Sequence, residues 1–212
     1  MTDKTRSIAD LLASAKLVAV LTIDRLDQAI PLARALIAGG VRTLEITLRT
    51  PAGAEAAAAV KSELPEAVVG LGTVLSYRDL ELVKSLDLQF AFSPGSEPDL
   101  LDAAAELSVP FVPGVATASE LMAVAKRGLT TVKLFPAEQL GGVDFIKALA
   151  GPFPQMTFNP TGGVTETSMR SYLALPSVVA VGSSWLAPKA EVETGNWKAI
   201  TGRAERAMTM LT

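Results

Sequence analysis

The segment LTTVKLFPAE, residues 129–138, places one lysine inside a short apolar run. Side chains of an extended strand alternate between the two faces of a sheet. Val132 and Leu134 therefore share one face, and Lys133 shares the other with Phe135. This pattern has two interpretations: the amine reaches water along its flexible stem, or it is held inside the protein for a chemical purpose. The rest of the chain bears on that choice.

Strand-like runs similar to this one recur along the chain, and helical patterns separate them. Eight runs start 21 to 26 residues apart, which leaves room each time for a strand, a helix and two short loops. The runs start at residues 17, 41, 67, 88, 109, 130, 156 and 178. The intervening helical patterns cover residues 26–38, 52–64, 77–86, 98–107, 118–127, 143–149 and 165–173.

Regular alternation of strands and helices predicts a parallel sheet, and eight units of similar length favour a closed barrel over an open doubly wound sheet. An open sheet would normally carry a glycine-rich turn after its first strand, and none follows the first run. Apolar residues at helical spacing predict further helices at residues 5–16 and 197–211. We therefore predict an α/β fold in which residues 1–212 form a single-domain (β/α)8 TIM barrel with an extra N-terminal helix and a C-terminal helix.

The composition excludes several kinds of chemistry, because the 212 residues include neither histidine nor cysteine. A thiol nucleophile, a histidine base and a zinc site of the usual histidine/cysteine type are ruled out. An oxygen-ligated magnesium site stays open, but no carboxylate cluster calls for one, so we expect no metal and no cofactor. The net charge of −3 without a basic run argues against nucleic acid as a partner. With no apolar stretch of ~18 residues and no signal-peptide core, we expect a cytoplasmic protein without a membrane partner.

The run VRTLEITLRTP, residues 41–51, alternates apolar with polar side chains. Its polar face, turned to the barrel interior, carries Glu45 at depth and Arg49 at the C-terminal rim. One interpretation is that these two side chains pair with each other, which offsets the cost of burying their charges. The other is that they work with Lys133 across the same lumen. In the second case the amine must be neutral when a substrate arrives, and Glu45 is the natural acid/base because the chain has no histidine.

Other candidates follow predicted strands and so lie at the rim where barrels bind their ligands. Thr73 and Thr161 either cap the next helix or touch a ligand, and Pro94 is either a turn residue or a wall of the site. The loops after the last two strands form either ordinary tight turns or a phosphate site, and their candidate residues are Gly162, Gly163 and Ser184.

The motifs EITLRTP, GLGTV, FSPG, VKLFPAE and PTGG stand in this order, each at the C-terminal end of a predicted strand. With them the chain resembles, almost from end to end, the class I 2-keto-3-deoxy-6-phosphogluconate (KDPG) aldolases, also called KHG/KDPG aldolases. The resemblance implies a homotrimer of (β/α)8 barrels and a carbon–carbon lyase. It also implies Lys133 as the Schiff-base lysine, Glu45 as acid/base, and Arg49 and Thr73 as ligands of the keto-acid carboxylate. The implied phosphate ligands are Gly162, Gly163 and Ser184, in a pocket lined by Thr161, Phe135 and Pro94.

The implied reaction is the reversible cleavage of KDPG to pyruvate and glyceraldehyde 3-phosphate, and some relatives also act on 4-hydroxy-2-ketoglutarate (KHG). The galactonate epimer of KDPG is the main alternative substrate, and we suspect Thr161 of deciding between the epimers. A less favoured alternative keeps the barrel and the phosphate site but makes the protein an isomerase, a phosphate-ester lyase or a ligand sensor. In that case Lys133 acts only as a charge.

One position departs from the pattern of some relatives, which carry an arginine at the end of the first strand where this chain has Thr22. Lys16 and Arg25 lie nearby in sequence, and alternation does not say whether either reaches the site. Surface or packing roles are expected for four other residues, Tyr77, Tyr172, Lys147 and Lys189.

Overall fold

The computed structural model describes residues 7–211, in which parallel strands alternate with helices. The strands are β1 Leu17–Leu21, β2 Thr43–Thr47, β3 Val68–Gly72, β4 Phe90–Phe92, β5 Phe111–Val112, β6 Gly114–Val115, β7 Thr131–Leu134, β8 Thr157–Pro160 and β9 Val181–Ser183. The helices are α1 Ile8–Ala15, α2 Ala29–Ala38, α3 Gly53–Glu63, α4 Tyr77–Ser85, α5 Pro98–Leu107, α6 Ala118–Lys126, α7 Gly142–Ala150, α8 Met169–Leu173, α9 Lys189–Thr194 and α10 Trp197–Thr209. A single 3-10 turn, Leu26–Gln28, precedes α2.

The strands form an α/β fold whose parallel sheet curls into a half-barrel. Six strands are hydrogen-bonded in the order β5-β4-β3-β2-β1-β9, and three more in the order β6-β7-β8. Pro113 alone separates β5 from β6 along the chain. At the other side an isolated parallel bridge joins Thr161, just after β8, to Gly182 in β9.

The predicted elements match the observed ones closely, and the differences have local causes. The fifth predicted strand is split at Pro113, because proline lacks the N–H that a central strand must donate. The predicted helix at residues 165–173 begins only at Met169, since Ser168 and Thr165 hydrogen-bond each other in a turn. Helix α9 was not predicted from the sequence.

The N-terminal helix begins at Ile8, one residue after its cap. Ser7 Oγ accepts a hydrogen bond from the Asp10 N–H at 3.2 Å, which satisfies one of the free donors of the first turn. The first residues of the predicted span, 5 and 6, lie outside the described residues. Among residues 7–211, none of the helices has the length and apolar character needed to cross a membrane.

Alternation along the strands separates two apolar clusters. The larger cluster joins the outer faces of the strands to the helices, as Leu44 and Ile46 of β2 illustrate. The smaller cluster lies on the inner faces and includes Val18, Phe90 and Val112, with Leu12 of α1 packed against it. Hydrocarbon from this cluster therefore occupies the part of the inner space next to α1.

An ion pair between α9 and α10 predicts how stability depends on pH. Both guanidinium Nη atoms of Arg203 donate to the carboxylate of Glu191, at 2.6 and 2.7 Å, and these bonds hold the pKa of Glu191 below its ordinary value. A depressed carboxyl pKa stabilises the fold above the pKa of the unfolded chain, and this contribution is lost as the pH falls through the folded pKa. We expect Glu191→Gln to lower the free energy of unfolding by about 1 kcal/mol at pH 7 and by less at pH 3.5, as measured by urea denaturation.

The control is Glu193→Gln, because Glu193 is more than half exposed and lies 3.8 Å from Lys189. Equal losses in the two variants at both pH values would contradict the assignment of this acid dependence to Glu191.

Candidate active site

A lysine and a glutamate meet inside the curled sheet. Lys133 of β7 donates from Nζ to Oε1 of Glu45 in β2 at 2.8 Å. The two residues are 3% and 0% exposed. The amine therefore does not reach water along its stem, and of the two interpretations of Lys133 only the buried one stands. Charges removed from water are tolerated when paired and become costly when one partner is lost.

Two aromatic rings flank the amine. Lys133 Nζ lies 5.2 Å from the ring centroid of Phe92 and 5.7 Å from that of Phe135, within the range of cation–π attraction. Phe135 shares the inner face with Lys133, as the alternation predicts. Phe92 was missed at the sequence level. Alternation in LQFAFSP places it on the same face as Phe90, but nothing in the sequence says that this face is the inner one.

The carboxylate of Glu45 occupies space left by a glycine. A Cβ at Gly72 would lie 2.1 Å from Glu45 Oε1, which is far inside contact distance. The other carboxylate oxygen, Oε2, is buried and has no hydrogen-bond partner among residues 7–211. Buried polar atoms are normally hydrogen-bonded, so Oε2 is the acceptor that the contact with Lys133 leaves open.

Arg49 does not pair with Glu45, so that interpretation of the polar face of β2 is wrong. Arg49 is exposed in the turn after β2, and its Nε donates to Thr73 Oγ1 at 3.1 Å. Thr73 has a φ of 59° and does not cap the next helix, because the N-terminal cap of α4 is Ser76. Arg49 and Thr73 thus lie together at the C-terminal rim, and Arg49 makes no ion pair within the described part of the chain.

The loop after β8 carries the two predicted glycines in a conformation that other residues rarely adopt. Gly162 and Gly163 have φ of 97° and 81°, and a Cβ at Gly163 would lie 2.6 Å from Glu138. Thr161 caps no helix, since the next helix, α8, has Ser168 at its N-cap position, and the Thr161 hydroxyl donates to Asn159 Oδ1 at 3.0 Å. The bridge between Thr161 and Gly182 brings this loop beside the end of β9.

The remaining predicted site residues also follow strand ends. Ser184 comes directly after β9 and is exposed, and Pro94 is exposed two residues after β4. Phe135 is half-buried after β7. The structure therefore gathers the rim candidates at the C-terminal ends of the strands, above the lysine and glutamate.

Of the two basic residues near Thr22 in sequence, Lys16 lies away from this group. Lys16 precedes β1, at the opposite end of the strand, and its Nζ donates to the carbonyl of Leu211 at 3.3 Å. Arg25 is bound to Asp27, and this bond raises the pKa of the guanidinium. Thr22 is exposed at the C-terminal end of β1, with its Oγ1 3.3 Å from Thr47 Oγ1.

Asn159 is a further buried polar residue that the sequence analysis did not single out. It is 0% exposed, and it stands directly beside Lys133 in the register of β7 and β8. The alternation in MTFNPTGG places Asn159 and Thr161 on one face, so the signal was present. Across the described range 7–211, no three acidic side chains cluster closely enough to hold a metal ion.

The four residues assigned to surface or packing roles occupy such positions. Tyr77, Lys147 and Lys189 are exposed. Tyr172 is buried and donates to Glu138 Oε1 at 2.8 Å. Burial and this bond raise the pKa of the Tyr172 hydroxyl. The hydrogen bond joins the loop after β7 to α8. Glu138 also packs against Gly163, where a side chain would overlap it.

Gly72→Ala tests whether the position of the Glu45 carboxylate is sterically determined. The new methyl group would overlap Glu45 Oε1, so the carboxylate must move away from Lys133 or the strands must part. We expect the free energy of unfolding to fall by about 2–4 kcal/mol in urea denaturation. The control is Gly95→Ala, where a Cβ would meet no atom within 4 Å. Equal stability of the two variants would show that Gly72 does not confine the carboxylate.

Known proteins match the chain over nearly its whole length. The family described as KDPG and KHG aldolase matches residues 8–202. The KHG/KDPG aldolase of Escherichia coli (strain K12) is 46% identical over 202 residues, which cover 95% of each chain. The KDPG aldolase of Legionella pneumophila, solved with pyruvate captured at low pH as a covalent carbinolamine intermediate, has a TM-score of 0.91 and 38% identity, covering 94% of this chain and 97% of its own.

A third similar protein is the 2-keto-3-deoxy-6-phosphogluconate aldolase of Zymomonas mobilis ZM4, solved with 3-phosphoglycerate. Its TM-score is 0.89 at 40% identity, and the match covers 94% of both chains. Because the family match, the relative and both structures extend over almost all of the sequence, the chain belongs to the KDPG and KHG aldolase family.

Proposed function

We propose that the chain is a class I aldolase that cleaves KDPG reversibly to pyruvate and glyceraldehyde 3-phosphate through a Schiff base on Lys133. The observation that carries this proposal is the 2.8 Å contact between Lys133 Nζ and Glu45 Oε1 in a buried layer. An ammonium must lose a proton before it can attack a carbonyl, and Glu45 is in place to accept that proton. The carbinolamine of the Legionella pneumophila relative is the adduct that such an amine forms with pyruvate.

The first half of the reaction builds an electron sink. Lys133 passes a proton to Glu45, and the neutral amine attacks C2 of the keto acid to give a carbinolamine. Glu45 returns the proton to the carbinolamine hydroxyl, which leaves as water. The product is a protonated imine beside a Glu45 carboxylate, so no proton is gained or lost overall. The rings of Phe92 and Phe135 lie against the nitrogen that carries the positive charge.

The second half breaks the carbon–carbon bond. Glu45 removes the proton of the C4 hydroxyl, and the C3–C4 electron pair moves into the imine. Glyceraldehyde 3-phosphate leaves, and the enamine of pyruvate remains on Lys133. Glu45 then gives its proton to C3, and water hydrolyses the imine to release pyruvate. Acid/base groups within one hydrogen bond of the amine are what this sequence of proton transfers needs.

Residues at the rim suit the two anionic ends of the substrate. Arg49 and Thr73, joined at 3.1 Å, are proposed to bind the carboxylate, for which the planar guanidinium offers two parallel hydrogen bonds. The loop of Gly162 and Gly163, together with Ser184 after β9, is proposed to bind the phosphate, because loops after the last two barrel strands present backbone N–H groups to anions. The pocket walls are proposed to be Thr161, Phe135 and Pro94.

A second substrate is suggested by the Escherichia coli relative, a KHG/KDPG aldolase. KHG has the same keto-acid end as KDPG but ends in a carboxylate instead of a phosphate. The same steps on Lys133 would cleave it to pyruvate and glyoxylate.

The finer features of the fold are part of the same proposal. The two groups of strands are proposed to close into one (β/α)8 barrel, since β5 and β6 are consecutive and the Thr161–Gly182 bridge links β8 to β9. A single domain over residues 1–212 is supported by one apolar cluster that extends from Leu17 to Ala207.

We also propose a cytoplasmic homotrimer. Leu75 and Met122, which are 63% and 62% exposed, are apolar side chains available for contacts between subunits.

Borohydride trapping with pyruvate tests the assignment of Lys133. Reduction of the imine should attach a pyruvate-derived group to the peptide that contains Lys133, as mass spectrometry would detect. Lys133→Met should abolish the label. Because this change leaves Glu45 buried without a partner, the double variant with Glu45→Gln serves as a check on folding. Lys147→Met, at an exposed lysine, is the matched control. A label on another lysine would refute the mechanism.

Exchange of the pyruvate methyl protons with solvent tests Glu45. The exchange requires a proton to leave and return at C3, whereas trapping requires only the imine. We expect Glu45→Gln to slow exchange by about 10²–10⁴-fold and to slow trapping less. Glu138→Gln is the control, because Glu138 is bound to Tyr172 outside the buried pair. If both rates fell by the same factor in Glu45→Gln, Glu45 would be needed for imine formation alone.

A further inference from the structure

Asn159 is a buried amide that the mechanism above leaves unused. It is 0% exposed and pairs in register with Lys133 on the neighbouring strand, about 4.8 Å away across the sheet. Side chains paired in this way project from the same face, so Asn159 shares the inner layer with the reactive amine. A buried amide is normally hydrogen-bonded through both its oxygen and its nitrogen.

The amide is only half satisfied within residues 7–211. Asn159 Oδ1 accepts a hydrogen bond from Thr161 Oγ1 at 3.0 Å, whereas Asn159 Nδ2 has no partner. The free donor sits in a layer closed off from solvent. Asn159 therefore does more than fill space, because an apolar side chain of the same size would leave no unsatisfied group there.

The bond to Asn159 determines what Thr161 can offer to a ligand. A threonine hydroxyl has one proton and two acceptor positions. Its proton is directed at Asn159 Oδ1, so only acceptor positions remain. Thr161 Oγ1 also packs closely against Gly182, where an added Cβ would lie only 2.1 Å from it. Thr161 is 5% exposed and comes directly after β8, at the end of the strand that carries the rim candidates.

We propose that Asn159 is a positioning residue that makes Thr161 a hydrogen-bond acceptor only, and that this selects KDPG over KHG. The inference rests on the proposed function and concerns the substrate of the same site. Thr161 stands two residues after Asn159, the register partner of Lys133, and directly before Gly162, so we place it beside the carbons between C2 and the phosphate. The C4 hydroxyl gives its proton to Glu45. The C5 hydroxyl keeps its proton and can donate it to Thr161.

The two substrates differ at this carbon. C5 of KDPG carries a hydroxyl, which donates to an acceptor. C5 of KHG is a carboxylate, which has no proton near neutral pH and is repelled by another acceptor. A threonine free to rotate could donate to the carboxylate, so it would serve both substrates. Asn159 prevents that rotation by holding the proton of Thr161.

The test is a double-mutant cycle on kcat/KM for KDPG and for KHG. In Asn159→Leu the hydroxyl of Thr161 is released, and the preference for KDPG over KHG should fall about tenfold, with part of the change due to better use of KHG. Thr161→Val should reduce the preference by a similar factor. In the double variant Asn159→Leu should have no further effect, because it acts through Thr161. Asn159→Ala makes the same test if the leucine variant does not fold.

Two outcomes would overturn the proposal. One is an equal loss of kcat/KM on both substrates in Asn159→Leu, which a purely structural role would produce. The other is additive effects of the two single changes. Pyruvate trapping by the unsubstituted protein separates this failure from failure of the proposed function. If borohydride traps no pyruvate on that protein, the aldolase mechanism is wrong. If it does trap pyruvate but Asn159→Leu leaves the ratio of kcat/KM for KDPG and KHG unchanged, only the role of Asn159 is wrong.

Discussion

Two opposite charges meet at 2.8 Å in an interior that is otherwise mostly aliphatic, and the rest of the site depends on keeping them there. Burial of an ion pair is tolerated only when its geometry is good and its surroundings are complementary. Here the surroundings are specific. The rings of Phe92 and Phe135 flank the amine, and Gly72 leaves room for the carboxylate. The pair brings the proposed nucleophile, Lys133, into direct contact with its proposed base, Glu45.

Small residues on the inner faces make this arrangement fit. A Cβ at Gly70 would overlap the ring of Phe90, and one at Gly182 would overlap Thr161. At Gly114 it would overlap the backbone of Pro94. Large and small positions thus alternate across the interior, so that a few long side chains can reach its centre. Toward α1 part of the same space is occupied by the smaller apolar cluster, and the loops that carry the rim candidates stand at the opposite ends of the strands.

Much of this organisation could be predicted from the sequence, because strand alternation and helix periodicity are local signals. The regular spacing of the runs predicted every strand to within a few residues, and alternation put Lys133 and Phe135 on one face and turned Glu45 to the interior. The deviations arose where a local signal was weak. Pro113 interrupts a strand that hydrophobicity alone suggested was continuous, and the short helix α9 has too little periodicity to stand out. The pairing of Arg49 with Thr73 was not foreseen, because both follow strand ends in turns of irregular conformation.

The sequence by itself determined the order of the strands and helices, the absence of thiol and imidazole chemistry, and the identity of the groups left to do acid/base work. The tertiary structure decided which of those groups meet. Lys133 and Glu45 are 88 residues apart, and only the curling of the sheet brings them into contact. The tertiary structure likewise placed Lys16 at the opposite end of β1 from the site, paired Arg25 with Asp27, and directed the hydroxyl proton of Thr161 at Asn159. Local propensity acts over a few residues, whereas a hydrogen bond depends on tenths of an ångström between segments that only packing can align.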